Sequence, residues 1–141
     1  MSGFLLDTNC VSEVVRRNPE PRVMDWMGAV DEALLYLSVL TLGEIRKGIA
    51  ALSQSNRRTR LEAWLEVELR ARFSGRILPI DVDVADRWGL LAADAKRRGR
   101  LLSAIDGLLA ATALHHNLTI VSRNVSDFKS TQVPILNPWD A

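Results

Sequence analysis

The sequence predicts an α/β fold in which helices cover both faces of a parallel sheet of about five strands. Short apolar runs recur along the chain, longer segments with helical spacing of apolar residues separate them, and no repeat or linker interrupts this alternation. Strands joined through helices pair in parallel by crossover connections. The chain has 141 residues, the size of one domain, and we expect residues 1–141 to form it.

Five apolar runs are the predicted strands. The first begins almost at the start of the chain and ends in a carboxylate, Asp7. The third contains a proline, which favours an edge position because proline donates no hydrogen bond to a neighbouring strand. The predicted strands are residues 4–6, 34–40, 77–80, 118–121 and 133–136.

Six segments between these runs are the predicted helices, because their apolar residues share one helical face. Prolines at positions 19 and 21 end the first helix, and Gly75 and Gly99 end two others. Ser103 is in a position to cap the last helix. The predicted helices lie near residues 10–15, 23–30, 42–52, 61–69, 84–95 and 103–115.

Composition and charge limit the class of protein. The formal net charge is only +1, so binding to long nucleic acid by charge alone has no support. No apolar run reaches 18 residues and the first residues do not resemble a secretory signal, so we expect no membrane association. Cys10 is the single cysteine, which fits a reducing cytoplasm, and we interpret it as a small buried hydrophobe.

Carboxylates stand close to the predicted strand ends. Asp7 follows the first strand, Asp106 opens the last helix, and Asn124 and Asp127 follow the fourth strand. Ligands of parallel α/β sheets bind beyond the carboxyl ends of the strands, so these side chains can gather at one edge. Each also has a structural interpretation, since Asp and Asn cap helices and Ser103 with Asp106 fits a capping box.

Glu44 is the fourth acidic candidate. On a helix it shares a stripe with Thr41, Gly48 and Ala51, whose small side chains leave it space, although it could equally be an exposed helix glutamate. Several carboxylates in one cleft repel each other unless a cation is present. Oxygen-only ligands favour Mg²⁺ or Mn²⁺, held by one or two carboxylates and by water.

Cations near this edge are candidates for phosphate contacts. Arg123 directly follows the fourth strand region, where it could bind a substrate phosphate or pair with a site acid. Two clusters, Arg57 to Arg60 and Lys96 to Arg100, could also bind phosphate, or they could be solvated helix ends.

Five segments of the chain stand in the order and spacing of a known family. They are LLDTN, TLGEIRKGI, GRLLSAIDGLLAATAL, LTIVSRNVSDF and the closing NPW. Together they resemble the PIN domain, and most closely the FitB-like branch of the VapC-type toxins of type II toxin–antitoxin systems. The resemblance implies a PIN-like three-layer fold and an endoribonuclease that depends on Mg²⁺ or Mn²⁺. It also implies a homodimer and a cognate antitoxin whose tail fills a groove near the site, with promoter DNA bound only through the antitoxin.

The resemblance assigns roles to particular residues. Asp7 and Asp106 match metal ligands, Glu44 matches the mid-chain glutamate, and Asp127 is the candidate for the fourth acid, with Asn124 auxiliary. Further small polar residues line such sites, and here they are Thr8, Asn9 and Ser122.

Two other functions compete with the ribonuclease. The first is a subunit with weak or no nuclease activity that acts mainly by complexing an antitoxin and tightening its binding to promoter DNA. The second is a phosphohydrolase that forms an aspartyl intermediate after the first strand. That mechanism requires an acid two residues after Asp7, where this chain has Asn9, so the sequence disfavours it.

Overall fold

The computed structural model describes residues 3–140, and its centre is a five-stranded parallel sheet. The strands lie in the order β3-β2-β1-β4-β5, and each neighbouring pair is parallel. The predicted α/β class with a parallel sheet is therefore confirmed. The strands are β1 (Phe4–Leu6), β2 (Leu35–Ser38), β3 (Ile77–Leu78), β4 (Thr119–Val121) and β5 (Ile135–Leu136).

Within residues 3–140, seven α-helices connect and flank the strands. They are α1 (Thr8–Glu13), α2 (Pro21–Ala29), α3 (Val39–Ala50), α4 (Asn56–Ala63), α5 (Arg70–Arg72), α6 (Val82–Arg97) and α7 (Ala104–His115). A π-helical segment, Trp64–Leu69, joins α4 to α5, and short 3₁₀ helices occupy Glu32–Leu34, Val125–Thr131 and Pro138–Asp140.

The sheet separates two hydrophobic cores, as the predicted layer on each face requires. Because side chains alternate along a strand, Leu6 faces one core and Leu5 the other. The first core contains residues of α1, α2, α3 and the π-helical segment, together with Trp139 from the C-terminal 3₁₀ helix. The second contains residues of α7 together with Phe128. Both faces of β1 are thus buried, which explains its uninterrupted apolar sequence.

The second strand is shorter than predicted. The expected strand covered residues 34–40, but β2 ends at Ser38 and residues 39 and 40 already belong to α3. The physical reason is the side chain of Ser38, whose Oγ accepts a hydrogen bond of 3.1 Å from the backbone N–H of Leu40 and caps the helix. The apolar run therefore continues across a strand-to-helix boundary.

Other predicted bounds also change. Residues 79–80 and 133–134 lie outside β3 and β5, and the prolines at 79 and 134 cannot donate a ladder hydrogen bond. The predicted helix over 61–69 begins earlier, at Asn56, where the Ser55 hydroxyl accepts from the backbone N–H of Arg58. The prediction also contained no sign of the π-helical segment.

Two further expectations concern burial. Cys10 is fully buried, as predicted, and burial raises the pKa of its thiol to about 12. Between residues 3 and 140, the helices are too short or too polar for any one of them to span a bilayer.

Candidate functional site

Asp7 lies at the carboxyl end of β1 and is only 9 % exposed. Its backbone N–H donates to the carbonyl oxygen of Val121, at 2.9 Å, so the residue continues the pairing of β1 with β4. Its Oδ1 accepts from the backbone N–H of Thr8 at 2.8 Å, and Asp7 is the N-cap of α1. The capping interpretation is therefore confirmed. The capping hydrogen bond uses one of the two carboxylate oxygens of Asp7, Oδ1.

The second oxygen of Asp7 is held by Ser122. The Ser122 hydroxyl donates to Oδ2 at 2.7 Å, and the serine is fully buried at the end of β4. Ser122 Oγ also accepts from the backbone N–H of Asn124 at 3.0 Å and from the side-chain amide of Asn9 at 3.5 Å. One hydroxyl thus links Asp7 to the loop after β4.

Glu44 reaches the same place from α3. Its Oε1 accepts a hydrogen bond of 2.5 Å from the Thr8 hydroxyl at the start of α1. Glu44 is half-buried, which argues against the alternative of a freely exposed helix glutamate. Of its predicted stripe, Thr41 is buried, whereas Gly48 and Ala51 are exposed and line a cavity of about 610 Å³ beside Glu44.

Asp106 lies in the first turn of α7. The Ser103 hydroxyl accepts from the backbone N–H of Asp106 at 3.1 Å, so the predicted cap of this helix is confirmed. An alanine Cβ at Gly107 would lie within 2.9 Å of two atoms of the Trp88 ring, so glycine allows close packing of α7 on α6 directly after Asp106. This packing fixes the backbone of the first turn of α7, which carries Asp106.

Asp127 and Asn124 belong to the segment that follows β4. Asp127 is exposed in the 3₁₀ helix, and Asn124 precedes that helix without making a side-chain cap. The capping interpretation of Asn124 is therefore wrong. Its side chain remains available at the sheet edge, while its backbone N–H is bound by Ser122.

Burial and neighbouring charges raise the pKa values of two of the four acids, Asp7 and Asp106. Burial raises the pKa of Asp7 most strongly, the hydrogen bonds from Ser122 and Thr8 lower it, and the charges of Glu44 and Asp127 raise it further. Burial also raises the pKa of Asp106, the interaction with Ser103 lowers it, and the charges of Asp127 and Asp7 raise it. The predicted gathering of acids therefore has an electrostatic signature in two of them.

The carboxylate oxygens of the four acids suit a hard divalent cation. The positions of these side chains limit how many of them can bind the ion directly. All four acids offer oxygen, and mutual repulsion among them would be relieved by positive charge. Within residues 3–140, no group of three or more His, Cys, Asp or Glu side chains is close enough to hold an ion as the side chains stand. This arrangement agrees with one or two carboxylate ligands and several waters, the pattern typical of Mg²⁺.

Arg123 does not pair with a site acid in the part of the chain that the structure describes. Its guanidinium carbon lies 5.7 Å from the centre of the Trp139 ring, and its backbone N–H donates to Asn9 Oδ1 at 3.4 Å. Of the two alternatives that the sequence left open for Arg123, pairing with a site acid is thus absent among the described residues. The contact with Trp139 was not predicted, although Trp139 belongs to the closing NPW, one of the five segments that carry the resemblance.

The basic clusters divide between ion pairs and a groove. Arg97 and Arg98 approach Asp94, and Arg58 approaches Glu62, so these side chains are partly neutralised on their own helices. Arg57 instead lines a groove of about 280 Å³ between α1, α3 and α4, which also includes Thr8 and Glu44. A cavity of about 690 Å³ lies elsewhere, between α6, α7 and the 3₁₀ helix after β4.

A parallel α/β sheet with interacting carboxylates at its carboxyl edge defines the class of this protein. The model of the PIN domain matches residues 4–133, and the chain belongs to the PIN domain family.

Known relatives cover nearly the whole chain. The VapC ribonuclease Y4jK of Sinorhizobium fredii is 38% identical over 137 residues, which are 97% of this chain and 98% of that protein. Toxin FitB of Neisseria gonorrhoeae is 38% identical over 136 residues, with 96% and 98% covered. The solved structure of FitAB bound to an IR36 DNA fragment has a TM-score of 0.91 at 37% identity, covering 96% of this chain and 95% of that chain.

Proposed function

We propose that this chain is a metal-dependent endoribonuclease, the toxin of a type II toxin–antitoxin system, and that residues 1–141 act as a single PIN domain. The observation that carries the proposal is the buried Asp7 at the end of β1, whose pKa is raised by burial and by the charges of Glu44 and Asp127. Relatives named VapC ribonuclease and toxin FitB, each 38% identical, support the same conclusion.

Asp7 and Asp106 are the proposed direct ligands of Mg²⁺ or Mn²⁺. Burial raises their pKa values and the charges of other carboxylates raise them further, so a cation would favour their ionised forms. Glu44 and Asp127 would contact the ion through water or orient that water. When bound, the ion activates water as a nucleophile and neutralises charge on the scissile phosphodiester.

The chain's own polar residues fix this arrangement. Ser122 orients Asp7 through Oδ2, and Thr8 orients Glu44 through Oε1. Asn9 and Asn124 hold the loop after β4 through their bonds with Ser122 and Arg123. These contacts limit the movement of the carboxylates, as partners of metal ligands commonly do.

The groove between α1, α3 and α4 is the proposed site of the antitoxin tail. Its apolar wall includes Ile45, Ile49 and Trp64, and Arg16 and Arg57 are also part of its lining. Because Thr8 and Glu44 lie in the same groove, an antitoxin side chain that carries positive charge could reach the acids and compete with metal. Promoter DNA would be bound through the antitoxin, in a complex like FitAB with its DNA fragment.

We propose that the chain acts in the cytoplasm as a homodimer, and that the cavity of about 610 Å³ beside Glu44 is part of the dimer contact. This cavity includes exposed apolar side chains, Val39 and Ile105, beside the small residue Gly43. A second copy would remove these side chains from water. Light scattering of the purified chain and of an Ile105→Asp variant tests this, with a dimer expected for the first and a monomer for the second.

Cleavage of single-stranded RNA by the purified chain tests the proposed activity. We expect cleavage with Mg²⁺ or Mn²⁺ and a loss of about a hundredfold or more in Asp106→Asn, because that variant removes a ligand charge with little change of shape. Asp25→Asn, an exposed aspartate on α2, is the matched control and should cleave normally. Equal cleavage by the unsubstituted chain, Asp106→Asn and Asp25→Asn would contradict the proposed mechanism.

A subunit with weak or no nuclease activity remains the second candidate. One observation favours it: the FitAB complex, whose matching chain is 37% identical to this one, is known bound to a DNA fragment. In that case the free chain leaves RNA intact, while its addition tightens promoter binding by the antitoxin. The two measurements together separate the candidates.

A further inference from the structure

The C-terminal 3₁₀ helix places Trp139 beside the sheet edge that carries the acids. Trp139 follows β5 by three residues, and β5 pairs with β4, which ends directly before Ser122. The backbone N–H of Ser122 donates to the carbonyl oxygen of Leu136 at 3.0 Å, which keeps these two strand ends together. Arg123 and Trp139 are therefore brought to the same edge by backbone pairing.

Trp139 is held rigidly. It is 7 % exposed and belongs to the core that contains Val11, Val23 and Met27. Its backbone N–H donates to Asn137 Oδ1 at 2.9 Å, which fixes the turn after β5. Because the ring is held in place, a guanidinium that stacks on it is restricted in its motion.

Arg123 has few other partners. Its side chain is exposed, and within residues 3–140 it makes no ion pair although four acids lie around the adjacent edge. An arginine that stacks on an aromatic ring keeps the N–H donors at the rim of its plane free. Its charge is therefore available to an anion from outside the chain.

We propose that Trp139 is a positioning residue: its indole face holds the Arg123 guanidinium at the rim of the acidic site, where the guanidinium binds a backbone phosphate of the RNA. The phosphate is one that flanks the scissile bond, because the guanidinium lies over Trp139 and not against the carboxylates. An acidic site repels the substrate's own backbone, so a fixed cation beside it aids binding. The choice of RNA as the ligand rests on the proposed function.

A double-mutant cycle on RNA binding tests the proposal. A fluorescent single-stranded RNA is the probe, anisotropy at several salt concentrations is the readout, and every protein carries Asp106→Asn so that binding is measured without turnover. We expect Arg123→Ala to weaken binding about three- to tenfold and to reduce the slope of log K against log salt by about 0.7, the value for one phosphate contact. Arg70→Ala, an exposed arginine on α5, is the charge-matched control and should change neither.

The Trp139→Met variant shows whether the effect of Trp139 on RNA binding depends on Arg123. We expect Trp139→Met to weaken binding as much as Arg123→Ala does, and to have no further effect when Arg123 is already alanine. The proposal is overturned if the folded Trp139→Met protein binds RNA normally, or if it loses the same factor in both backgrounds. The melting temperature of each variant shows whether it is folded.

A measurement on the unmodified ring covers the case in which Trp139→Met does not fold. In the unsubstituted chain, the Arg123 side-chain N–H resonance, assigned by its loss in Arg123→Lys, should be displaced upfield by the indole ring current. A resonance at the ordinary arginine position would contradict the stacking. RNA cleavage by the unsubstituted chain is measured separately, so a failure of the nuclease proposal is distinguishable from a failure of this one.

Discussion

The hydroxyl of Ser122 donates to Oδ2 of Asp7 across 2.7 Å, between residues that are 115 positions apart in the chain. Both residues follow the ends of paired parallel strands, so the bond depends on the register of β1 with β4. The bond lowers the pKa of a carboxyl group that burial and two other acids raise. It therefore favours the ionised form that a metal ligand requires.

Removal of this hydroxyl should weaken the site without removing any proposed ligand. We expect Ser122→Ala to lower kcat/KM for RNA by about ten- to hundredfold, the usual effect of losing a partner of a metal ligand. The pKa of Asp7 should rise further, so the activity profile should shift to higher pH. Ser122→Thr retains the hydroxyl and should keep most activity. Unchanged activity in Ser122→Ala would show that Asp7 needs no such support.

Asp7 should reduce the stability of the metal-free protein at neutral pH. Its folded pKa is raised above the ordinary aspartate value of 3.8, so the folded state binds the proton more tightly than the unfolded chain. The stabilisation that comes from this tighter proton binding is fully present below the unfolded pKa of Asp7. It is lost as the pH rises through the folded pKa. We expect Asp7→Asn to melt a few degrees higher than the unsubstituted chain at pH 7 in EDTA, and to show no advantage near pH 3.

Melting curves at a series of pH values check this prediction. Asp25→Asn is the control, because that exposed aspartate on α2 should give the same curve as the unsubstituted chain. A lower melting temperature for Asp7→Asn at pH 7 would show that the cap of α1 outweighs the desolvation of the carboxylate.

The hydrogen bond from Thr8 to Glu44 should matter for activity more than for stability. Thr8→Val keeps the shape of the side chain and removes the 2.5 Å bond to Oε1 of Glu44. We expect kcat to fall about tenfold, since a carboxylate that orients water loses its fixed position. Thr59→Val is the matched control, because its hydroxyl donates to the backbone of Ser55 away from the acids. Equal kcat values for the two variants would argue against a role for Glu44.

Cys10 should be chemically inert in the folded protein. It is fully buried, and burial together with the charges of Asp7 and Glu13 raises the pKa of its thiol to about 12. Almost no thiolate exists at pH 8, and only the thiolate reacts with disulfide reagents. We expect no reaction with a disulfide reagent in the native protein and one equivalent after denaturation. Rapid reaction in the native state would show that α1 opens readily.

The sequence predicted those parts of the site that depend on local chemistry. Asp7 after a buried strand and Ser103 before a helix are recognisable because a strand end and an N-cap each have a residue preference. The end of β2 was placed two residues too late, because Ser38 lies inside an apolar run that continues into α3. Its capping role depends on the backbone conformation, which the run does not reveal.

Contacts between distant segments could not be predicted in the same way. The pairing of Arg123 with Trp139 depends on the adjacent positions of β4 and β5 and on the turn at Asn137. From sequence, Arg123 could equally have paired with an acid, and hydrophobic periodicity cannot choose between two partners at one edge. The register of the sheet and the path of the C-terminus together decide it.

The metal dependence of RNA cleavage tests the central claim most directly. A fluorescent single-stranded RNA would be incubated with the metal-free chain and with increasing Mn²⁺ or Mg²⁺, for the unsubstituted protein and for Asp7→Asn. We predict no cleavage in EDTA, a saturable rise with metal, and a rate at least about a hundredfold lower in Asp7→Asn at every metal concentration. Cleavage that persists in EDTA, or that is the same in both proteins, would contradict a metal held by Asp7.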